Sequence, residues 1–94
     1  MTAEVRDEPA RSRYEARVDG VLAGIAAYTR ADGVITFTHT VVEEAFEGQG
    51  VGGDLARTAL DAARADHLAV VPRCSFIAGW IDRHPDYADL VAVG

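Results

Sequence analysis

Four glycines fall within six residues in Gly48-Gln49-Gly50-Val51-Gly52-Gly53, directly after Glu47. Glycine lets a backbone turn tightly and approach a ligand with no Cβ in the way. The segment lies between a β-branched run, Val34 to Val42, and a helix-like run, Val51 to Ala65. A helix start presents unpaired N–H groups and the positive end of its dipole. Together these features suit a phosphate or pyrophosphate without any basic side chain. Three further residues carry reactive groups nearby in the predicted chain path. Cys74 follows Arg73 at the start of a second helix-like run, a setting in which thiols become nucleophilic. It equally suits a small buried hydrophobe. His39, in the β-branched run, shares strand parity with Ile35, Phe37 and Val41 and is either a base or acid or a satisfied core histidine on that face. Glu43, at the end of that run, is either a proton acceptor through water or a solvated carboxylate.

The elements that must position these groups read as follows. Residues 1–12 are polar, contain Pro9 and show no periodicity, so they are expected to form a mobile arm ahead of a single domain over 13–94. Arg13 to Val18 alternates polar and apolar residues and reads as a strand. Asp19-Gly20 marks a hairpin. Residues 21–30 form a second strand, in which Gly24 marks a bulge or a close approach. Val34 to Val42 is the third strand of an antiparallel meander. Val51, Leu55, Ala59, Leu60 and Ala63 then recur at helical spacing, with Arg57 and Asp61 one turn apart on the polar face. Residues 68–71 form a short buried strand, parallel to the third, which completes a βαβ unit. Phe76, Ile77, Trp80 and Ile81 give a second amphipathic helix that ends at His84-Pro85, and residues 86–93 form a short tail with room for one helical turn. The fold class is α+β: a three-strand antiparallel meander, a βαβ unit and a C-terminal helix.

Phosphate-binding loops come in several kinds. Gly48-x-Gly50-x-x-Gly53 matches the dinucleotide pattern, but that site needs an acid at the end of the next strand, where Pro72-Arg73-Cys74 stands. A nucleoside-triphosphate loop needs Gly-Lys-Ser/Thr, which does not follow. An idle connection would carry a large entropic cost for so many glycines. The segment from Thr40 to Gly52 resembles motif A of the GNAT acyltransferase superfamily, in which Q/R-x-x-G-x-G/A wraps the CoA pyrophosphate. Gly50 and Gly52 stand at the motif's glycines, and Glu47 stands where Gln or Arg is expected. His39-Thr40-Val41-Val42, Val71-Pro72-Arg73-Cys74-Ser75-Phe76 and Arg83-His84-Pro85-Asp86-Tyr87 extend the similarity to a branch of small single-domain members, over roughly residues 13–90.

That resemblance implies a minimal GNAT-like fold and an acetyl-CoA-dependent N-acetyltransferase that moves an acetyl group to an amine, on a protein or peptide. It implies CoA contacts at Val41, Val42, Glu47, Gly48, Gln49, Gly50, Val51, Gly52, Gly53 and Cys74. Gln49 is a candidate side-chain donor in place of Glu47. In that arrangement the third strand and residues 68–71 splay apart to admit the pantetheine arm. Cys74 is the implied active-site cysteine, and His39 and Glu43 are the other catalytic candidates. Direct attack on a thioester relies mainly on positioning. A non-catalytic CoA-binding or sensing module is the alternative, and a purely structural interaction domain is a third reading. His84 and Tyr87 are candidates for the cleft or for packing, and Trp80 for the core.

Composition sets the bounds. Ninety-four residues make one small domain that buries only roughly 60–65% of its unfolded surface. The formal net charge of −6 argues against nucleic-acid or anionic-membrane binding and mildly favours a cationic acceptor. No apolar run approaches the roughly 20 residues of a membrane span, and the first residues lack the pattern of a signal peptide. One cysteine allows no internal disulfide, which fits a cytoplasmic protein. Three histidines and that cysteine show no metal-ligand spacing, so no metal is expected. The expected state is a monomer or weak dimer.

Overall fold

The computed structural model describes residues 3–92. Residues 1, 2, 93 and 94, the outer ends of the expected arm and tail, lie outside the described residues. The strands are β1 (Glu4–Glu8), β2 (Arg13–Val18), β3 (Val21–Ala31), β4 (Val34–Val42) and β5 (Ala69–Pro72). The helices are α1 (Val51–Ala65) and α2 (Ser75–Arg83), followed by a 3-10 segment, Pro85–Leu90. The sheet runs in sequence order, antiparallel from β1 to β4 and parallel between β4 and β5. The expected α+β meander and βαβ unit are thus present, with one more strand at the front. No described helix is long and apolar enough to cross a membrane.

Glu4–Glu8 corrects the expectation of a mobile arm. Hydropathy hides this strand because it is an edge strand, with charges along its outer side. Every residue from Glu4 to Glu8 pairs with β2. Val5 packs against the core. The buried Tyr28 hydroxyl donates to Asp7 Oδ1 at 2.6 Å, which ties β1 to β3. Burial, then the Asp7 hydrogen bond, pushes the Tyr28 hydroxyl pKa well above its ordinary value. Burial and the Asp7 charge push Tyr14 up to about 12.

Two bulges bend the sheet. Between β2 and β3 the pairing passes from Ala16↔Gly24 to Arg17↔Leu22, which leaves Ala23 over. Between β3 and β4 it passes from Ala27↔His39 to Tyr28↔Phe37, which leaves Thr38 over. A bulge shifts the side-chain alternation by one and increases the local twist. Ile35 and Phe37 therefore face the core, but beyond Thr38 that face belongs to Thr40 and Val42. His39, expected to share a face with Ile35 and Phe37, is instead exposed on the other side.

The helices pack on the face that carries Phe37. Val51, Leu55, Ala56, Ala59, Leu60 and Ala63 of α1 are buried against it. Alanines at three of these sites let the helix sit close to the sheet. Gly24 allows the tightest approach: a Cβ there would lie 2.8 Å from the Val41 carbonyl oxygen and 3.2 Å from Leu55 Cδ1. On the helix-free face, Glu15 of β2 is only 5% exposed. It is covered by Arg13 at 2.7 Å and Arg17 at 3.1 Å. These arginines hold its carboxyl below the usual carboxylate range against the opposing effect of burial.

Two outcomes test this packing. Gly24→Ala should destabilise the protein by about 1–3 kcal/mol in denaturant unfolding, because the backbone contact with Val41 must open. Glu15 has a depressed native pKa, so its stabilising contribution is present above its unfolded value, near 4.3, and is lost as pH falls through the lower native value. Glu15→Gln should accordingly lower Tm at neutral pH, and the difference from wild type should shrink as the solution is acidified through that window.

Candidate functional site

The glycine loop is held open by backbone conformation. Gly48 and Gly50 adopt φ of 78° and 79°, which a side chain would strain. A Cβ at either position would meet nothing within 4 Å, so φ and not crowding demands glycine there. The α1 ladder begins with Asp54 N–H donating to Gly50 O at 3.0 Å. The N–H groups of Val51, Gly52 and Gly53 precede that first bond, at the positive end of the helix dipole.

Beside these groups lies a cavity of about 270 Å³. Residues 47–53 other than Gln49 line it, together with Val42, Phe46 and Phe76. Phe76, in the first turn of α2, covers Gly52: a Cβ on Gly52 would lie 2.6 Å from Phe76 Cζ. Gly52 therefore serves helix-to-helix contact, whereas Gly50 serves the turn. Gln49 does not line the cavity; its Nε2 turns back to the Ala45 carbonyl oxygen at 3.4 Å.

The sheet opens next to this cavity. β5 pairs with β4 only from Val34 to Phe37. Cys74 N–H then donates to Phe37 O at 2.9 Å, the last backbone bond between the two segments. Past that apex, residues 38–42 of β4 have no strand on the β5 side, while α2 departs from Cys74. The bulge at Thr38 lies at the divergence and turns Thr40 toward the gap. Thr40 Oγ1 lies 3.2 Å from Cys74 Sγ. Cys74 is buried and is the residue from which α2 starts. The unpaired stretch of β4 thus extends from Thr40, beside Cys74, to Val42, which lines the cavity at the glycine loop.

The other candidates are distributed around this axis. Val41 is 45% exposed, on the helix-free face. His39 shares that face, with Thr38 Oγ1 3.3 Å from its Nδ1, and does not meet Cys74. Glu43 is exposed at the end of β4, and its backbone N–H donates to Ala23 O at 2.8 Å. Glu43, Glu44 and Glu47 form no ion pair among the described residues. No group of three or more His, Cys, Asp or Glu among them is arranged to hold a metal ion.

His84 and Tyr87 belong to the framework. His84 Nδ1 donates to Trp80 O at 2.8 Å, and its ring stacks on Trp80 at 3.8 Å. The Tyr87 hydroxyl donates to Asp61 Oδ1 at 2.7 Å, which raises the Tyr87 pKa. Asp61 is thus used by Tyr87, and Arg57, its neighbour one turn away, lies over the Trp80 ring at 5.4 Å. Arg64 grips Asp89 through two bonds of 2.9 and 3.0 Å. The motif Arg83-His84-Pro85-Asp86-Tyr87 folds the chain end back onto α1. Thr40, Phe46 and Phe76 are site residues that the sequence reading passed over. Only a bulge at Thr38 would have pointed to Thr40.

Comparison with known proteins gives a consistent picture. The model of the GCN5-related N-acetyl-transferase family matches residues 13–90. No curated protein matches the chain. The solution structure of a GCN5-like candidate N-acetyltransferase from Staphylococcus aureus is similar over 95% of this chain and 87% of its own, at 23% identity and a TM-score of 0.73. Ard1 from Thermoplasma volcanium matches 63% of this chain at 23% identity and a TM-score of 0.56. A ribosomal-protein-alanine N-acetyltransferase from Brucella melitensis biovar Abortus 2308 matches 87% at 20% identity and a TM-score of 0.61. The matched parts are 41% and 62% of the latter two proteins. At these identities the structural likeness establishes the fold.

The Gly52–Phe76 contact provides a test of the cavity wall. Gly52→Ala should cost about 1–3 kcal/mol through overpacking. Adding Phe76→Leu should recover part of that loss, so that a double-mutant cycle in denaturant shows clear coupling.

Proposed function

The chain belongs to the GCN5-related N-acetyltransferase family, and on that premise we propose that it binds acetyl-CoA and transfers the acetyl group to an amine on a protein or peptide. The observation that carries this reading is the cavity at the glycine loop, set beside the stretch of β4 that β5 leaves unpaired. The loop offers backbone N–H groups to a pyrophosphate. The unpaired stretch offers the free edge of β4 around Val41 and Val42 to a pantetheine amide. Beside the near end of that stretch, Thr40 meets the Cys74 thiol. The positive-φ glycines and the open space beyond Gly50 fit such a ligand, since a side chain there would stand where the phosphates approach. The donor supplies an activated thioester carbon.

The chain's own residues then have limited tasks. The loop N–H groups hold the anionic end. The β4 edge orients the arm, and positioning of this kind is the main resource in direct acyl transfer. Cys74, at the start of α2 against Thr40, is the thiol available as the acid for the departing sulfur. His39 and Glu43, exposed beside the same stretch of β4, are the groups available to accept a proton from the incoming amine. Glu43, Glu44 and Glu47 give the mouth a negative charge, which favours a cationic acceptor. That charge also opposes the pyrophosphate at Glu47.

Calorimetric titration with acetyl-CoA tests the reading. Wild type should bind saturably, and Gly50→Glu should abolish binding by adding a charge and a side chain at the cradle. Glu47→Gln should tighten binding by about two- to tenfold, the Coulombic cost of one exposed charge near a pyrophosphate. Absence of binding by folded wild type would overturn the assignment. Binding without acetylation of any amine in a broad panel would favour a CoA-sensing module.

A further inference from the structure

Thr40 was not among the residues selected by sequence, yet it makes the only side-chain polar contact to Cys74 among the described residues. Its hydroxyl has no other hydrogen-bond partner there. Cys74 Sγ likewise has none beyond Thr40, and Cys74 is 6% exposed. The contact crosses the gap just beyond the last backbone bond between the diverging segments, Cys74 N–H to Phe37 O. Thr40 is also β-branched in a strand, so its χ1 is restricted and the hydroxyl is held in place before any ligand arrives. The Thr38 bulge is what turns this side chain toward Cys74 rather than toward the helix-free face.

Resting on the acetyltransfer reading, we propose that Thr40 is a positioning residue that donates its hydroxyl hydrogen to Cys74 Sγ, leaving the thiol hydrogen free to point into the gap. During transfer the carbon–sulfur bond of the thioester breaks and its electron pair goes to the CoA sulfur. The S–H bond of Cys74 breaks, and its proton forms the new S–H bond on CoA. The proton shed by the acceptor nitrogen, as its new bond to the acetyl carbon forms, goes to His39 or Glu43, and Cys74 is reprotonated from solvent. While Cys74 lacks its proton, the sulfur carries negative charge, and the Thr40 O–H bond to it becomes charge-assisted. The interaction is therefore stronger at the moment of transfer than before it, which is the condition for accelerating the step. A merely structural contact would be equally strong throughout.

Because the chain holds a single cysteine, alkylation reports Cys74 alone and needs no acetyl donor. The experiment compares wild type, Thr40→Val and Thr40→Ser at neutral pH for the rate of iodoacetamide labelling, for acetyl-CoA affinity by calorimetry, and for CoA release with polylysine as acceptor. Thr40→Val keeps the side-chain shape and should slow labelling by roughly tenfold or more, the worth of a hydrogen bond to a charged sulfur. It should lower kcat by a similar factor with unchanged acetyl-CoA affinity. Thr40→Ser should recover both to within about threefold, short of wild type because its χ1 is freer. Labelling of Thr40→Val at the wild-type rate, or an equal loss in Thr40→Ser, would overturn the pair. If labelling responds as expected but wild type releases no CoA, the acetyltransfer reading fails while the donation from Thr40 to Cys74 stands.

Discussion

The rest of the site depends on where β4 and β5 part company. Parallel pairing ends at Phe37 and Pro72, and one further bond, from Cys74 N–H to Phe37 O, closes the seam. Pro72 has no N–H to extend a ladder. The extra residue at Thr38 twists β4 at the same level. Neither strand can follow the other past this point, so the sheet opens while both strands remain anchored below. The opening is thus a stable part of the native fold.

Close contacts shape the cavity beside that opening. Gly24 lets β3 and β4 lie against α1 at Val51 and Leu55, and Gly52 lets Phe76 cover the first turn of α1. Both glycines allow one element to approach another. Gly48 and Gly50, by contrast, face open space and are required by their positive φ. The two pairs divide the work: one fixes the walls, the other shapes the end where backbone N–H groups are exposed. The C-terminal segment braces the helices from behind, through Tyr87 to Asp61 and Arg64 to Asp89.

Periodicity and turn signals made most of the fold legible in the sequence. The β2 alternation, the Asp19-Gly20 turn, the stripe of α1 from Val51 to Ala63 and the short apolar strand ahead of Cys74 all reflect burial on one face, which hydropathy reports directly. β1 was illegible because its stability comes from backbone pairing and from the Tyr28–Asp7 bond, which pairs residues far apart in sequence. The tight turn at Gly48 and Gly50 was legible, because clustered glycine marks a backbone that must adopt positive φ. The partner of Cys74 was not. Alternation along β4 assigns His39 to the face of Ile35 and Phe37, and one bulged residue exchanges that assignment for Thr40. A bulge leaves no mark in composition, so a strand's register can change sides without any change in its apparent pattern. His84 and Tyr87 were legible only as cleft or packing residues, and their bonds to Trp80 and Asp61 place them in the framework.

Sheet edges carry one more consequence. Strand β1 guards its outer edge with Glu4, Arg6 and Glu8, and Val91 bridges to Val70 on the far side of β5. The free stretch of β4 across the gap has no such guard. It is flanked by apolar Val42 and Phe76, and it offers unpaired backbone groups to anything extended. The same stretch is therefore the place where a strand from another chain would add. A ligand arm lying there, as proposed, would also shield that edge from strand exchange.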